Sequence, residues 1–319
     1  MANITASMVK ELREKTGAGM LDCKNALTES NGEMEAAIDH LRKKGLAAAA
    51  KKSGRITSEG LVGALIAADG KTGVLLEVNC ETDFVARNPD FQGYVKALAE
   101  HIAANKPKVV RPEEGDGALW TQPWAAYGNR SVGDATADLI GKIGENISPR
   151  RFARWELSGP GRFSSYIHMG GKLGVLLEVG TANEAAAGND KVAQFAKFLG
   201  MQIAAANPLT VTREQVPAAV LERERAIYKQ QVIDSGKPAN IADKIVEGKI
   251  SKFYKDSCVI EQEWVHDTSM TVGKVLAALA KEIGSDVTIR RFVRWQLGEG
   301  LEKRSNDIAA DVAAQLKGK

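Results

Sequence analysis

The sequence predicts an α+β fold in which a small three-helix module precedes a duplicated antiparallel core carrying an inserted helical hairpin. Three observations predict it. Apolar residues recur at helical spacing over the first fifty residues, with glycines between the runs. A strand-like segment, Gly73-Val74-Leu75-Leu76-Glu77-Val78, returns 101 residues later as Gly174-Val175-Leu176-Leu177-Glu178-Val179. Each copy follows a short turn sequence, Asp69-Gly70-Lys71-Thr72 or Met169-Gly170-Gly171-Lys172, that suits a hairpin and therefore antiparallel pairing.

In the module, Thr5 can cap a first helix whose apolar face is Met8, Val9 and Leu12. Thr16-Gly17-Ala18-Gly19 breaks it, because glycine tolerates the backbone angles of a tight helix–helix turn. A second helix holds Met20, Leu21, Ala26 and Leu27 and stops at Asn31-Gly32. The third aligns Met34, Ala37, Ile38 and Leu41 and is expected to stop at Arg42-Lys43-Lys44-Gly45. Residues 46–52 read as a short basic connector of high helix propensity that ends at Ser53-Gly54. So small a core needs a partner or a neighbour to lean on.

The duplication extends well beyond the strand. The offset of 101 also carries Ile102-Ala103-Ala104 onto Ile203-Ala204-Ala205 and Pro107 onto Pro208. An offset of 140 then maps Ser131-Val132-Gly133 onto Thr271-Val272-Gly273 and Ile143-Gly144 onto Ile283-Gly284. It also maps Arg150-Arg151-Phe152-Ala153-Arg154-Trp155 onto Arg290-Arg291-Phe292-Val293-Arg294-Trp295. The change of offset places an insertion of 39 residues in copy two, between Pro208 and Thr271. Residues 213–255 supply its helical pattern: Val220, Ala226, Ile227 and Val232, a turn at Ser235-Gly236-Lys237-Pro238, then Ile241, Ile245, Val246, Ile250 and Phe253. The apolar stripe of such an arm either folds back on its own domain or meets a second copy of the chain. Each copy reads as two hairpin strands, a long helix, a second helix and a closing strand. The expected division is 1–54 for the module and linker, 55–158 for copy one, and 159–298 for copy two with its insertion at about 213–257.

Composition narrows the function classes. With 43 Lys+Arg against 40 Asp+Glu, the net charge of +3 over 319 residues is too weak to mark a nucleic-acid surface. No apolar run approaches about 18 residues, so no membrane span is expected. The start lacks the basic and apolar segments of a secretory signal, and three scattered cysteines (Cys23, Cys80, Cys258) suggest no disulfide framework; the expected compartment is the cytoplasm. Gly70-Lys71-Thr72 resembles the end of a phosphate-binding loop, but Leu65 stands where its first glycine belongs, and a hairpin turn explains the residues. His40, His101, His168 and His266 fall at unrelated spacings, and neither Cys-x-x-Cys nor Gly-x-Ser-x-Gly occurs. Neither a cofactor nor a metal site is therefore expected, nor catalytic chemistry of the chain's own. Arg150-Arg151 and Arg290-Arg291, repeated beside aromatic residues in predicted strands, read as part of the packing scheme.

One segment breaks the symmetry. Copy one continues after its strand as Asn79-Cys80-Glu81-Thr82-Asp83-Phe84-Val85-Ala86-Arg87, where copy two has Gly180-Thr181-Ala182-Asn183-Glu184-Ala185-Ala186-Ala187-Gly188. Duplicated copies keep what the fold needs, so Thr82, Asp83, Phe84 and Val85 are candidates for function. Thr82 or Asp83 can cap a short helix with Phe84 at the turn. The alternative is that Phe84 fills a gap in the core.

Two long stretches carry a family resemblance. Leu12-Arg13-Glu14-Lys15-Thr16-Gly17-Ala18-Gly19-Met20-Leu21-Asp22-Cys23-Lys24-Asn25-Ala26-Leu27 and Glu77-Val78-Asn79-Cys80-Glu81-Thr82-Asp83-Phe84-Val85-Ala86-Arg87 closely resemble bacterial elongation factor Ts. The likeness runs through the duplicated core to Glu299-Gly300-Leu301-Glu302-Lys303. It implies a guanine-nucleotide exchange factor that binds elongation factor Tu, GDP-bound and nucleotide-free, and releases GDP during translation. It also implies a module like ubiquitin-associated domains, a coiled-coil arm, and a C-terminal helix within 299–319. By that resemblance Arg13, Met20, Leu21 and Lys24 contact the partner's nucleotide-binding domain, as does the tail helix through Ile308, Val312 and Leu316. Asp83-Phe84 matches the pair that disturbs the partner's magnesium and phosphate site, Phe84 acting as a wedge. His168 matches a histidine near the partner's third domain, and Val265 a further contact. The chain departs from the family in having Gln262-Glu263-Trp264-Val265-His266 where Gln-Pro-Phe-Val is usual, and residues 108–130 match no family feature. Other readings are an RNA-binding protein, whose affinity would fall steeply with salt, a small-molecule enzyme with a titratable pocket, and a scaffold whose module binds a helix or a ubiquitin-like protein. The last leaves Asp83-Phe84 unexplained.

Overall fold

A computed structural model describes residues 4–236 and 239–302, with no side-chain account of 239–240. The tail residues Ile308, Val312 and Leu316 lie outside the described residues. The chain forms two compact units, one from the described residues of 1–63, 76–152 and 296–319, the other from 64–75 and 153–295.

The module is built from α1 (Ala6–Thr16), α2 (Met20–Glu29) and α3 (Met34–Lys52). Thr5 caps α1 through its side chain, which accepts from Met8 N, and Gly17 closes the helix in the left-handed conformation at φ +69°. Val9, Leu12, Cys23, Ala26, Leu27 and Ala37 form its small core. The third helix does not stop at Gly45 but runs unbroken to Lys52. Close approach is the reason: a Cβ at Gly141 of the neighbouring helix would lie 3.4 Å from Gly45 Cα, so glycine here lets two backbones meet.

Copy one follows as β1 (Glu59–Ile66), β2 (Thr72–Cys80), α4 (Asp83–Ala86), α5 (Pro89–Asn105), β3 (Pro123–Trp124), β4 (Arg130–Ser131), α6 (Val132–Ile143) and β5 (Ile147–Glu156). Copy two is β6 (Gly161–His168), β7 (Leu173–Thr181), α7 (Glu184–Ala187), α8 (Asp190–Ala206), α9 (Ala218–Asp234), α10 (Ala239–Ser257), β8 (Glu263–Trp264), β9 (Asp267–Thr271), α11 (Val272–Ile283) and β10 (Val287–Gln296). The three-stranded sheets run β1-β2-β5 and β10-β7-β6, and β6 pairs antiparallel with β7 from Gly161↔Gly180 to His168↔Leu173. Both hairpin turns form where the sequence places them, with Gly70 at φ +70° and Met169, Gly170 and Gly171 all at positive φ. In unit two, α8 and α11 cover the sheet through Val192, Phe195, Leu199, Ile203, Val272 and Leu279.

Equivalent positions repeat even at the caps: Ser131 accepts from Asp134 N at 3.0 Å and Thr271 from Lys274 N at 3.3 Å. The stretch 108–130, for which the resemblance offers no family feature, has a counterpart in copy two. The isolated bridges Val109↔Ala118 and Thr210↔Cys258 are equivalent, as are the β3–β4 and β8–β9 ribbons that bury Trp124 and Trp264. Residues 115–117 of copy one thus stand where copy two has 216–257, which narrows the insertion to the α9–α10 arm. The arm has its own core of Val232, Val246 and Ile250, flanked by Leu221, Tyr228, Ala242, Ile245 and Tyr254. The stripe of α9 that faces α10 is therefore Leu221, Tyr228 and Val232; of the expected run of Val220, Ala226, Ile227 and Val232, only Val232 belongs to it. Ile227, Ile233 and Ile241 stay exposed.

The duplicated Arg-Arg pairs have duplicated acidic partners. Glu77, fully buried, takes Arg151 Nε at 2.6 Å and Arg150 Nη1 at 3.0 Å. Glu178 takes Arg291 Nε at 2.7 Å and Arg290 Nη1 at 2.9 Å. Close approach also fixes glycine at position 60, where φ is +131° and a Cβ would sit 2.1 Å from Val78 O. Gly60→Ala is expected to lower unfolding free energy by at least about 1–3 kcal/mol, read from urea denaturation, because both the backbone angle and the space forbid a side chain.

Candidate functional site

The asymmetric segment folds as one tight helical turn. Thr82 is its N-cap, in extended conformation, and its hydroxyl accepts from Val85 N at 3.4 Å. Asp83, in the first turn, pairs with Arg87 at 2.8 Å. Val85 and Ala86 are buried and anchor the turn, which turns Phe84 outwards: the ring is 78% exposed. The core-filling alternative is thereby overturned. Copy two supplies an internal control. Asn183 caps the equivalent α7, accepting from Ala186 N at 2.9 Å, and Ala186 and Ala187 are buried like Val85 and Ala86. Its outward position is Ala185, also exposed. The fold accounts for the cap and the inward pair in both copies, and Phe84 is surplus to it.

A second surface lies on the module. Gly17 in the left-handed conformation and the Thr16 hydroxyl, which accepts from Ala18 N at 3.3 Å, shape the α1–α2 loop. Met20 and Leu21 emerge from it 54% and 70% exposed, over a core that holds their neighbours Cys23, Ala26 and Leu27. Arg13 and Lys24 are exposed as well. An apolar pair with cationic neighbours is a surface that loses water readily on contact with a mixed apolar and acidic partner.

In unit two, His168 ends β6, exposed; its Nδ1 lies 2.9 Å from Tyr166 Oη and the two rings stack. Ile167 and Met169 beside it are exposed too. Val265 follows β8, half exposed, its backbone N–H donating to Gln202 Oε1 at 2.8 Å. Thr82–Val85 thus share one turn and Arg13, Met20, Leu21 and Lys24 share one module, while His168 and Val265 stand on separate elements of the other unit.

Glu145 escaped the reading of the sequence. Its carboxylate accepts from Thr82 N at 3.0 Å and from the Thr82 hydroxyl at 2.6 Å. The signal was present: the repeat pairs Glu145 with Ser285, the same kind of asymmetry that marks Phe84. Among the described residues no group of three or more His, Cys, Asp or Glu is placed to hold a metal, and no helix is long and apolar enough to cross a membrane. Cys23, Cys80 and Cys258 are buried and form no disulfide, and burial pushes the Cys23 and Cys258 thiols up, away from reactivity.

Comparison with known proteins agrees with the resemblance. The family model described as elongation factor TS matches residues 81–299. The chain is 47% identical over 316 residues to an elongation factor Ts of Clostridium kluyveri, covering 99% of this chain and 100% of that one. It is 47% identical over 311 residues to that of Trichlorobacter lovleyi, covering 98% of each, and 44% identical over 315 residues to that of Symbiobacterium thermophilum, covering 99% of each. A similarity of this strength along the whole length places the chain in the elongation factor Ts family.

Proposed function

We propose that the protein is a guanine-nucleotide exchange factor for elongation factor Tu, releasing GDP during translation elongation without catalytic chemistry of its own. The Thr82–Val85 turn presents Phe84 to the partner near its magnesium and phosphate site, with Asp83 beside it. The Arg13, Met20, Leu21 and Lys24 face and the tail residues Ile308, Val312 and Leu316 dock on the nucleotide-binding domain, and His168 and Val265 meet another part of the partner. The cytoplasm is the compartment this reading assigns, with no nucleic acid or membrane in the complex. Self-association through the arm rests on the exposed Ile227, Ile233 and Ile241.

One observation carries the reading: a large aromatic ring stands in water on a turn whose duplicate does without it. Exposing phenylalanine forgoes roughly 1.5–3 kcal/mol of burial, which a partner can recover. Exchange requires tighter binding to the nucleotide-free partner than to the GDP-bound one, and linkage makes that preference reciprocal. Purified partner is expected to be captured by this protein, and excess magnesium–GDP is expected to release it. Capture that ignores magnesium–GDP would overturn the reading.

A further inference from the structure

Four residues tie the Phe84 turn to the rest of its unit. Glu145 accepts both the backbone N–H and the hydroxyl of Thr82. The bond is returned one residue along: Asn146 N–H donates to Glu81 Oε1 at 2.7 Å, and Arg55 Nη1 reaches the same oxygen at 3.3 Å. The Asn146 side chain donates to Arg55 O at 3.1 Å and Ser53 O at 3.4 Å, in the segment that follows α3 of the module. The pairs Glu81-Thr82 and Glu145-Asn146 therefore clasp one another, and the corner at 145–146 also holds the end of the module's linker.

Copy two lacks the clasp. Its equivalents are Ala182-Asn183 and Ser285-Asp286. One backbone bond joins the two segments instead, Ala182 N to Asp286 O at 3.2 Å, and Ser285 Oγ is buried without a partner among the described residues. The capped turn forms there all the same. The fold thus does without the carboxylate, and the copy that keeps it is the copy that carries Phe84.

We infer that Glu145 is a positioning residue that fixes the direction in which the Thr82 turn presents Phe84. The physical reason is that a single helical turn closes too few hydrogen bonds to hold itself. Its cap must also be held: the Thr82 hydroxyl gives its proton to Glu145, which leaves a lone pair aimed at Val85 N. An exposed ring acts on a partner only where it points, so a rigid mount is worth more than further contacts. The inference rests on the exchange reading but concerns this chain's own geometry, which is measurable without a partner.

The test compares Glu145→Ser, which installs the residue of copy two, with Glu145→Gln and with each change combined with Phe84→Ala. In the free protein, amide exchange at Thr82 and Val85 is expected to speed up in Glu145→Ser, with the protection of β2 and α5 unchanged. With the partner, the maximal GDP-release rate is expected to fall about three- to tenfold while the half-saturating concentration stays within about twofold, since orientation and not contact area is lost. Glu145→Gln, which keeps one acceptor oxygen, is expected to fall between and carries the comparison if the serine variant does not fold. In the Phe84→Ala background the Glu145 effect is expected to vanish, because the two act as one device. Unchanged amide exchange, or additive losses in the double variant, would overturn the inference. Wild-type protein that fails to accelerate GDP release would instead sink the exchange reading and leave the clasp to the amide measurement.

Discussion

Phe84→Ala is expected to slow the GDP release that this protein stimulates by about tenfold, while the unfolding midpoint of the free protein hardly moves. The two halves of the expectation come from one fact. With the ring 78% exposed, its removal takes little from the folded state, and surface changes of this kind stay within about 0.5 kcal/mol. The same exposure leaves almost the whole ring available for burial against a partner, worth roughly 1.5–3 kcal/mol. At about 1.4 kcal/mol per decade, full expression in the rate would be ten- to a hundredfold. The lower end is expected because the ring need not be wholly buried when the nucleotide leaves. Phe84 cannot act alone: shifting a partner from 1:99 to 99:1 requires about 5.5 kcal/mol of differential binding. The remainder falls to the module face, the other contact surfaces and the loss of metal coordination, so much of the complex is expected to persist in the variant. Stopped-flow release of labelled GDP at saturating factor measures the effect, and an unchanged rate removes Phe84 from the mechanism.

Glu178→Ala is expected to cost about 3 kcal/mol of stability, the largest effect predicted for a change remote from the contact surfaces. The carboxylate is fully buried and gathers Arg290, Arg291 and the N–H and hydroxyl of Ser158, at 3.0 and 2.8 Å for the last two. Alanine takes the acceptor from Ser158 and from Arg291 Nε and leaves both guanidinium charges without their counter-ion, although the carbonyls of Gly159, Pro160 and Glu156 still accept from the two arginines. The arginines keep partial contact with water, which holds the cost at the lower end of the usual range for a broken buried pair. Burial pushes the Glu178 carboxyl up, but the donors from Ser158, Arg290 and Arg291 outweigh it and hold the group below its ordinary value near 4.5. A carboxyl lowered by folding contributes stability that is present above the unfolded pKa and lost as pH falls through the folded one. Wild-type stability is therefore expected to drop on acidification below about pH 4.5 more steeply than that of Glu178→Gln, in parallel urea titrations. Parallel curves would show that the ion cluster carries no such linkage.

How much was legible in the sequence divides along a physical line. Caps and turns are local chemistry, so Thr5, Gly17 and Asp69-Gly70 announce themselves. The repeat is visible because one half of the chain can be compared with the other, and that comparison also exposed the Asp83-Phe84 asymmetry. Periodicity was less reliable. In α9 the expected run of Val220, Ala226, Ile227 and Val232 supplies only Val232 to the arm's core, and packing against α10 brings in Leu221 and Tyr228 in place of the others. Gly45 read as a stop because the close approach that makes glycine useful there comes from α6, far along the chain. The arm splits the residues of copy two that are equivalent to 108–130, so only the folded bridges and ribbons show which positions correspond.

For the candidate site, the sequence by itself singled out the segment in which the two copies differ, since a duplicated chain carries its own control. It determined the kind of turn this segment forms as well, because a threonine before a short apolar run can cap a helix. Tertiary structure alone decided that Phe84 faces water, that Glu77 and Glu178 answer the paired arginines, and that Glu145 grips Thr82 across 63 residues of chain. The reason is common to all three. Which way a side chain points depends on which of its neighbours the core accepts, and which charge it meets depends on segments that only the folded backbone brings together.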